Sequence, residues 1–180
     1  MDKFMDQFRM RPSPDPVLTY ATGACALGAV LVAASGNGIR ALLLGDSTDT
    51  LVRDLRTRFP HAELVASTNG CGGRLADVIR LIETPDHAVA LPLDPRGTAF
   101  QRRVWQALRA IPAGETRSYG EVARAIGTPG AVRSVASACA ANPIAVAIPC
   151  HRVVRADGTL SGYRWGVARK TQLLQQEAAR

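Results

Sequence analysis

No apolar run in this 180-residue sequence approaches the roughly 20 residues of a membrane-spanning helix. The longest candidate, 24–34, is too short and is broken by Gly28. The first residues, Met1-Asp2-Lys3-Phe4, lack the basic-then-apolar order of a secretory signal. Cysteine is scarce, with four residues at 25, 71, 139 and 150 and no C-x-x-C pair. That spacing argues against a zinc site or a disulfide framework and predicts a protein of the reducing cytoplasm. Lysine is almost missing, since 20 of the 22 basic residues are arginine.

What is present is ordinary in amount and uneven in place. Hydrophobic residues make up 47% and charged residues 21%, as in a soluble globular chain. A chain this long forms one domain, or a small domain with a lobe, and buries a real core. The net charge of +7 sits in one half. Residues 1–95 hold 9 basic and 11 acidic side chains, whereas residues 96–180 hold 13 basic and 4 acidic. A basic half-chain beside a nearly neutral one is the footprint of a polyanionic partner. The arginine excess suits phosphate forks but equally reflects GC-rich coding, so only the asymmetry is informative.

Residues 1–16, with prolines at 12, 14 and 16, read as a flexible leader. Residues 17–22 and 27–45 read as strands, with Gly36-Asn37-Gly38 as a hairpin turn. The spacing of Leu51, Val52, Leu55 and Phe59 predicts a helix over 50–59, stopped by Pro60. Leu75, Val78, Ile79 and Ile82 mark a second amphipathic helix. Residues 84–97, with three prolines, read as an extended connection. The 17–95 stretch is thus a small α/β lobe without marked chemistry. His61 and His87 are expected in solvent-facing loops, and Cys25 and Cys71 are expected to be inert.

The second half, 96–180, is better signposted. Thr98 with Gln101 is a capping box opening a helix with Phe100, Val104, Leu108 and Ile111 on one face. Ser118 with Glu121 is another, leading Val122, Ala123 and Ile126 to Gly127. Thr128-Pro129 reads as the N-cap and first turn of a further helix reaching Ala141. Two short helices across a glycine-containing turn match a helix-turn-helix. On the second of them Val132, Val135, Ala136 and Cys139 form an apolar face, and Arg133, Ser137 and Ala140 lie opposite. Small residues of this kind fit close helix packing. Beside so basic a half-chain they also fit close approach to a nucleic-acid groove, with Arg133 reaching a base edge or entering the stack.

After Asn142-Pro143, residues 145–148 read as a short extended run delivering Ile148-Pro149-Cys150-His151-Arg152-Val153-Val154. Pro149 fixes its own φ and biases Ile148 toward extended backbone, presenting Cys150 at a constrained bend. Neighbouring imidazole and guanidinium groups lower a thiol pKa toward neutrality, as a nucleophile requires. A buried structural cysteine fits the same heptapeptide equally well. Asp157-Gly158 is a turn, Gly162 to Gly166 a glycine-bounded aromatic loop, and a final helix starts near Val167. On that helix Glu177 shares the face of Leu173 and Leu174, either half-exposed at the chain end or paired inward. Paired inward, it completes a set of nucleophile, base and orienting carboxylate with Cys150 and His151.

Together, Pro149-Cys150-His151-Arg152-Val153, Ser118-Tyr119-Gly120, the Arg133 helix and Asn142-Pro143 resemble the catalytic domain of the O6-alkylguanine-DNA alkyltransferase family. The runs 132–142 and 161–167 look most like the C-terminal half of its Ada branch. Residues 1–95 are similar to the family's N-terminal lobe only in length and strand-then-helix order. The resemblance implies an α+β fold: a ribonuclease-H-like lobe, then a mostly helical domain with a winged-helix-like helix-turn-helix that binds DNA and accepts the alkyl group. It implies a monomer binding the minor groove of double-stranded DNA containing O6-alkylguanine, and base flipping. Arg133 would then fill the vacated stack, and Gln101, Thr128, Ser137 and Tyr119 would contact the DNA. Cys150 would take the alkyl group, His151 and Glu177 would manage its proton, and Asn142 would brace the turn. Tyr119 would donate to the departing base, in a pocket lined by the backbone of Cys150 and Val153 with Tyr163 and Arg164.

The thioether product has no good leaving group, so the protein is expected to react once, without metal or cofactor. Cys139 is assigned to the apolar helix face and expected to be unreactive. Ada-branch proteins carry a zinc-cysteine domain that this sequence lacks, so transcriptional activation is not expected. The chain reads as either a separated C-terminal fragment or a stand-alone repair protein. Two rivals are a non-catalytic lesion-binding relative of the same fold and a multiple-turnover cysteine hydrolase.

Overall fold

The computed structural model describes residues 17–69, 71–84 and 90–179. The proposed leader over 1–16, and His87 in the 84–97 connection, lie outside them. The first half opens with β1 (Val17–Cys25), β2 (Gly28–Ser35) and β3 (Gly38–Gly45), antiparallel neighbours joined by tight turns. Gly38 is obligatory at its turn. Its φ is +147°, and a Cβ there would stand 2.6 Å from the Pro92 carbonyl oxygen. Helix α1 (Thr48–Arg58) starts two residues before the expected position because the Ser47 hydroxyl caps it, accepting from Thr50 N at 3.3 Å. A short strand β4 (Glu63–Ala66), parallel to β1, was not foreseen. Four residues at a sheet edge, three of them exposed, carry no alternation to reveal it. Helix α2 (Arg74–Glu83) follows, giving a sheet of order β3-β2-β1-β4.

The continuous apolar run of β2 and β3 is explained by burial on both faces. Leu31, Ala33, Ala41 and Leu43 pack on Leu51 and Leu55 of α1. Val30, Val32, Leu42 and Leu44 face the other way, into a larger cluster with Val78 and Ile82 of α2. That same cluster takes in Val104 and Leu108, Val135 and Ala138, Ile148 and Leu173 from the second half.

The second half comprises α3 (Ala99–Arg109), β5 (Arg117–Ser118), α4 (Tyr119–Ala125), α5 (Val132–Ala140), a 3₁₀ turn at Cys150–Arg152, β6 (Val153–Val154) and α6 (Val167–Ala178). Both capping boxes form as the sequence indicates, with side chain and backbone exchanging bonds in each. The third expected start is corrected. Helix α5 begins at Val132, not at Thr128-Pro129, and its N-cap Ala131 makes no side-chain bond. Gly127, at φ +72°, ends α4, and Thr128 N returns to the Ala123 carbonyl, so 128–131 are spent on the turn. The inner face also differs from the expected one. Val135, Ala138 and Cys139 point inward, while Val132 is exposed.

The segment before Cys150 is not an extended run. Val146 has φ +62°, Ala147 N donates to Ala145 O, and Ile148 N to Ile144 O, so 144–149 fold into consecutive tight turns. The apolar character that read as a strand comes from burial instead. The turns are pinned to the outer edge of β3, where Leu42 N donates to Pro143 O at 3.0 Å and Ala145 N to Leu42 O at 2.9 Å. Residues 92–94 cover the same edge at Ile39, so the outward backbone groups of Ile39 and Leu42 are all paired.

Candidate active site

Pro149 sits at φ −81° and ψ 61°, and Cys150 N donates across it to Ile148 O at 2.8 Å, an inverse γ-turn. The 3₁₀ turn that follows throws Cys150 and His151 to different sides. Cys150, 4% exposed, forms part of the wall of a cavity of about 570 Å3. Tyr119, Ala136, Cys139, Ala140, Arg155, Ser161, Tyr163 and Arg164 share that wall. Asn142, completely buried, organises the turn. Its Nδ2 donates to Ile148 O at 2.8 Å and to Cys150 Sγ at 3.2 Å, and its Oδ1 accepts from Ile144 N.

Behind the sulfur lies a buried ionic cluster. His151 Nε2 is 2.8 Å from Glu177 Oε1, and the Arg152 guanidinium straddles the same carboxylate, Nε at 3.0 Å and Nη2 at 2.8 Å. Arg152 Nη1 also donates to Ile111 O at 2.6 Å. Although burial opposes ionisation of Glu177, its bonds to His151 and Arg152 prevail and hold the carboxyl down at about 2. For His151 the balance reverses, because burial outweighs the pull of the carboxylate and keeps the imidazole below its ordinary range. At neutral pH the ring is therefore neutral with its proton on Nε2, facing the carboxylate. Its Nδ1 is buried and has no hydrogen-bond partner among the described residues.

The expected thiol acidity is corrected. Burial pushes Cys150 up to about 11, outweighing the Asn142 hydrogen bond and the charge of Lys170, both of which pull it down. Proximity in sequence misleads here, since the Arg152 guanidinium is spent on Glu177. The cation that does act on the sulfur is Lys170, 0% exposed, which sequence reasoning missed. Its Nζ donates to Val153 O at 2.6 Å and Ser161 Oγ at 3.0 Å, and Ser161 Oγ is 2.6 Å from Tyr119 Oη. Among the described residues no carboxylate pairs with it. Lys170 follows the same helical stripe as Leu173 and Glu177, and that spacing was the available signal.

The remaining expected site residues divide. Tyr119, Tyr163 and Arg164 reach the cavity with Cys150, and Arg164 Nη1 also ties to Ala140 O. Tyr163 stands edge-on to His151, with centroids 6.4 Å apart. Val153 does not line the wall: it is fully buried in β6, and its carbonyl is taken by Lys170. Arg133 and Ser137 are exposed on the outer face of α5, one turn apart. Gln101 is half-buried and commits its Oε1 to the α3 cap, away from the cavity. Thr128 Oγ1 is buried without a partner among the described residues. Arg155 and Ser161 belong to the wall and were not foreseen.

The model of the 6-O-methylguanine DNA methyltransferase DNA-binding domain matches residues 99–179. The chain is 57% identical over 159 residues to the bifunctional transcriptional activator/DNA repair enzyme Ada of Escherichia coli, covering 88% of this chain and 45% of that protein. It therefore spans less than half the length of that relative. A methylated-DNA–protein-cysteine methyltransferase of Salmonella typhimurium is 42% identical over 147 residues, 77% of this chain and 82% of its own. Among solved structures, Mycobacterium tuberculosis OGT in complex with DNA superposes with a TM-score of 0.76 at 38% identity, covering 89% of this chain and 93% of that one.

Proposed function

Because this chain belongs to the methylated-DNA–protein-cysteine methyltransferase family, we propose that it repairs DNA by taking the alkyl group of O6-alkylguanine onto its own Cys150. The observation that carries this reading is one reactive atom in one setting: the Cys150 sulfur on a cavity wall, hydrogen-bonded by Asn142, with a neutral histidine held by a carboxylate behind it. A cavity of about 570 Å3 accommodates an extruded purine.

The resting thiol is protonated, so its proton leaves as substrate is engaged. His151 Nδ1 carries the free lone pair and takes that proton through an intervening water, while Glu177 keeps Nε2 protonated and the ring oriented. The sulfur attacks the alkyl carbon, the carbon–O6 bond breaks, and negative charge develops on the departing guanine. Tyr119, whose ionisation is opposed by burial, keeps its proton and donates to the base. The positive charge of Lys170 beneath the site favours both the thiolate and the leaving group. The thioether product is inert, so each chain reacts once.

The DNA is bound as a duplex through its minor groove by α4 and α5. Small outward residues of α5 permit close approach, and Arg133 occupies the space left by the flipped base. Gln101, Thr128 and Ser137 contribute backbone contacts around this helix pair. The strand order β3-β2-β1-β4, with β4 parallel to β1, supports a ribonuclease-H-like reading of 17–95. The packing of α3, α4 and α5 supports a winged-helix-like reading of 96–180. The protein acts as a monomer in the cytoplasm.

The test is transfer from an oligonucleotide carrying labelled O6-methylguanine, with counting and mass mapping. A single methyl per chain, on Cys150, is expected. Many transfers per chain, a methyl on Cys139, or full repair by Cys150→Ala would each overturn the proposal.

A further inference from the structure

Cys139 has no place in that reaction, yet it stands on the same wall as Cys150. It faces inward from the last turn of α5 and is 7% exposed. Asn142 links the two cysteines: its backbone N donates to Cys139 O at 3.2 Å and its Nδ2 to Cys150 Sγ at 3.2 Å. Each thiol also raises the charge cost of ionising its surroundings, Cys150 acting on Cys139 and both acting on Tyr119. Cys71, by contrast, spends its sulfur on the Thr19 and Val32 carbonyls, and Cys25 belongs to β1.

The geometry points to Cys139 and Cys150 as a two-thiol site that captures monosubstituted trivalent arsenic, a thiophilic centre with two exchangeable positions. The step balances without an oxidant. With the arsenic taken as the hydrated R–As(OH)2 that phenylarsine oxide gives in water, both S–H bonds and both As–O bonds break, two As–S and two O–H bonds form, and two water molecules leave. The product carries no charge, which suits a cavity whose burial holds Cys139 up at about 12 and Cys150 up at about 11. The cavity that admits a purine also admits an aryl group on arsenic. Capture consumes Cys150 and so blocks alkyl acceptance, although the capture itself does not depend on the alkyl-transfer reading.

The experiment treats the full chain with phenylarsine oxide, then maps it by digestion and mass spectrometry. One aryl-arsenic per chain is expected, joining the peptides that hold Cys139 and Cys150, stable to a monothiol wash and released by a dithiol. In Cys139→Ala the adduct should fall to the monothiol-labile form, while Cys25→Ala and Cys71→Ala keep the stable one. An arsenic bridge involving Cys25 or Cys71, or a monothiol-labile adduct on the unaltered chain, would overturn the assignment. The map of the unaltered chain decides the matter even if the Cys139 variant does not fold. Loss of alkyl acceptance after capture, restored by dithiol, is expected as a consequence, and a chain that never accepts alkyl groups would leave the map unaffected.

Discussion

Substituting Glu177 by glutamine separates the two things its carboxylate does. The amide keeps the shape and one acceptor, so His151 retains a partner, but the charge opposite Arg152 is gone. The carboxyl, 4.5 in its ordinary state, is held at about 2 in the folded chain. At ~1.4 kcal/mol per pH unit this difference contributes about 3 kcal/mol of stability. An independent figure comes from the ion pair itself. Removing one partner of a buried pair costs roughly 3–5 kcal/mol, because the remaining charge is left without compensation. Since the folded value lies below the unfolded one, the contribution is complete above about pH 4.5 and is lost as the pH falls toward 2. Urea unfolding of both proteins from pH 8 to pH 3 measures it. Glu177→Gln should be about 3 kcal/mol less stable at pH 7 and should lack most of the acid limb. A variant within 1 kcal/mol of the parent at pH 7, or one with the same acid limb, would refute the assignment of that carboxylate as the buried ionised member of the cluster.

Lys170→Met removes a cation that pulls the Cys150 thiol down, so the rise of alkylation rate with pH should move to higher pH when followed with iodoacetamide; an unmoved limb would remove Lys170 from the site's electrostatics. Asn142→Ala leaves Ile148 O and Cys150 Sγ without their shared donor and should cost about 1–3 kcal/mol in denaturant melts, with slower alkyl transfer. Unchanged stability would contradict its bracing role. Arg133→Ala should slow repair of duplex more than reaction with free O6-alkylguanine base, and equal losses would count against stacking. DNA affinity should fall with rising salt, as release of counterions by the basic half requires; a flat dependence in filter binding would contradict it.

The amphipathic spacings of α1 and α2, both capping boxes and the Gly36–Gly38 hairpin were legible because each is a local device, settled within a few residues of chain. The candidate nucleophile proposed here was singled out in the same way, since Pro149, Cys150 and His151 are consecutive. The inward pairing of Glu177 with His151 was foreseen and forms, but several other inferences that needed to know what lay across space failed. Residues 144–149 are apolar, and only the edge of β3 decides that they turn in place of extending. Thr128-Pro129 has the chemistry of a helix start, but the αL glycine before it uses those residues to reverse the chain. Adjacent in sequence, Arg152 seemed the cation for Cys150, yet the 3₁₀ turn sends it to Glu177, 25 positions away, and brings Lys170 in its place. By itself the sequence determined which side chains could do chemistry and which local motifs would hold them. Tertiary structure alone decided their ionisation, because the energy of a charge depends on the water excluded around it and the opposite charge brought near, and neither is written along the chain.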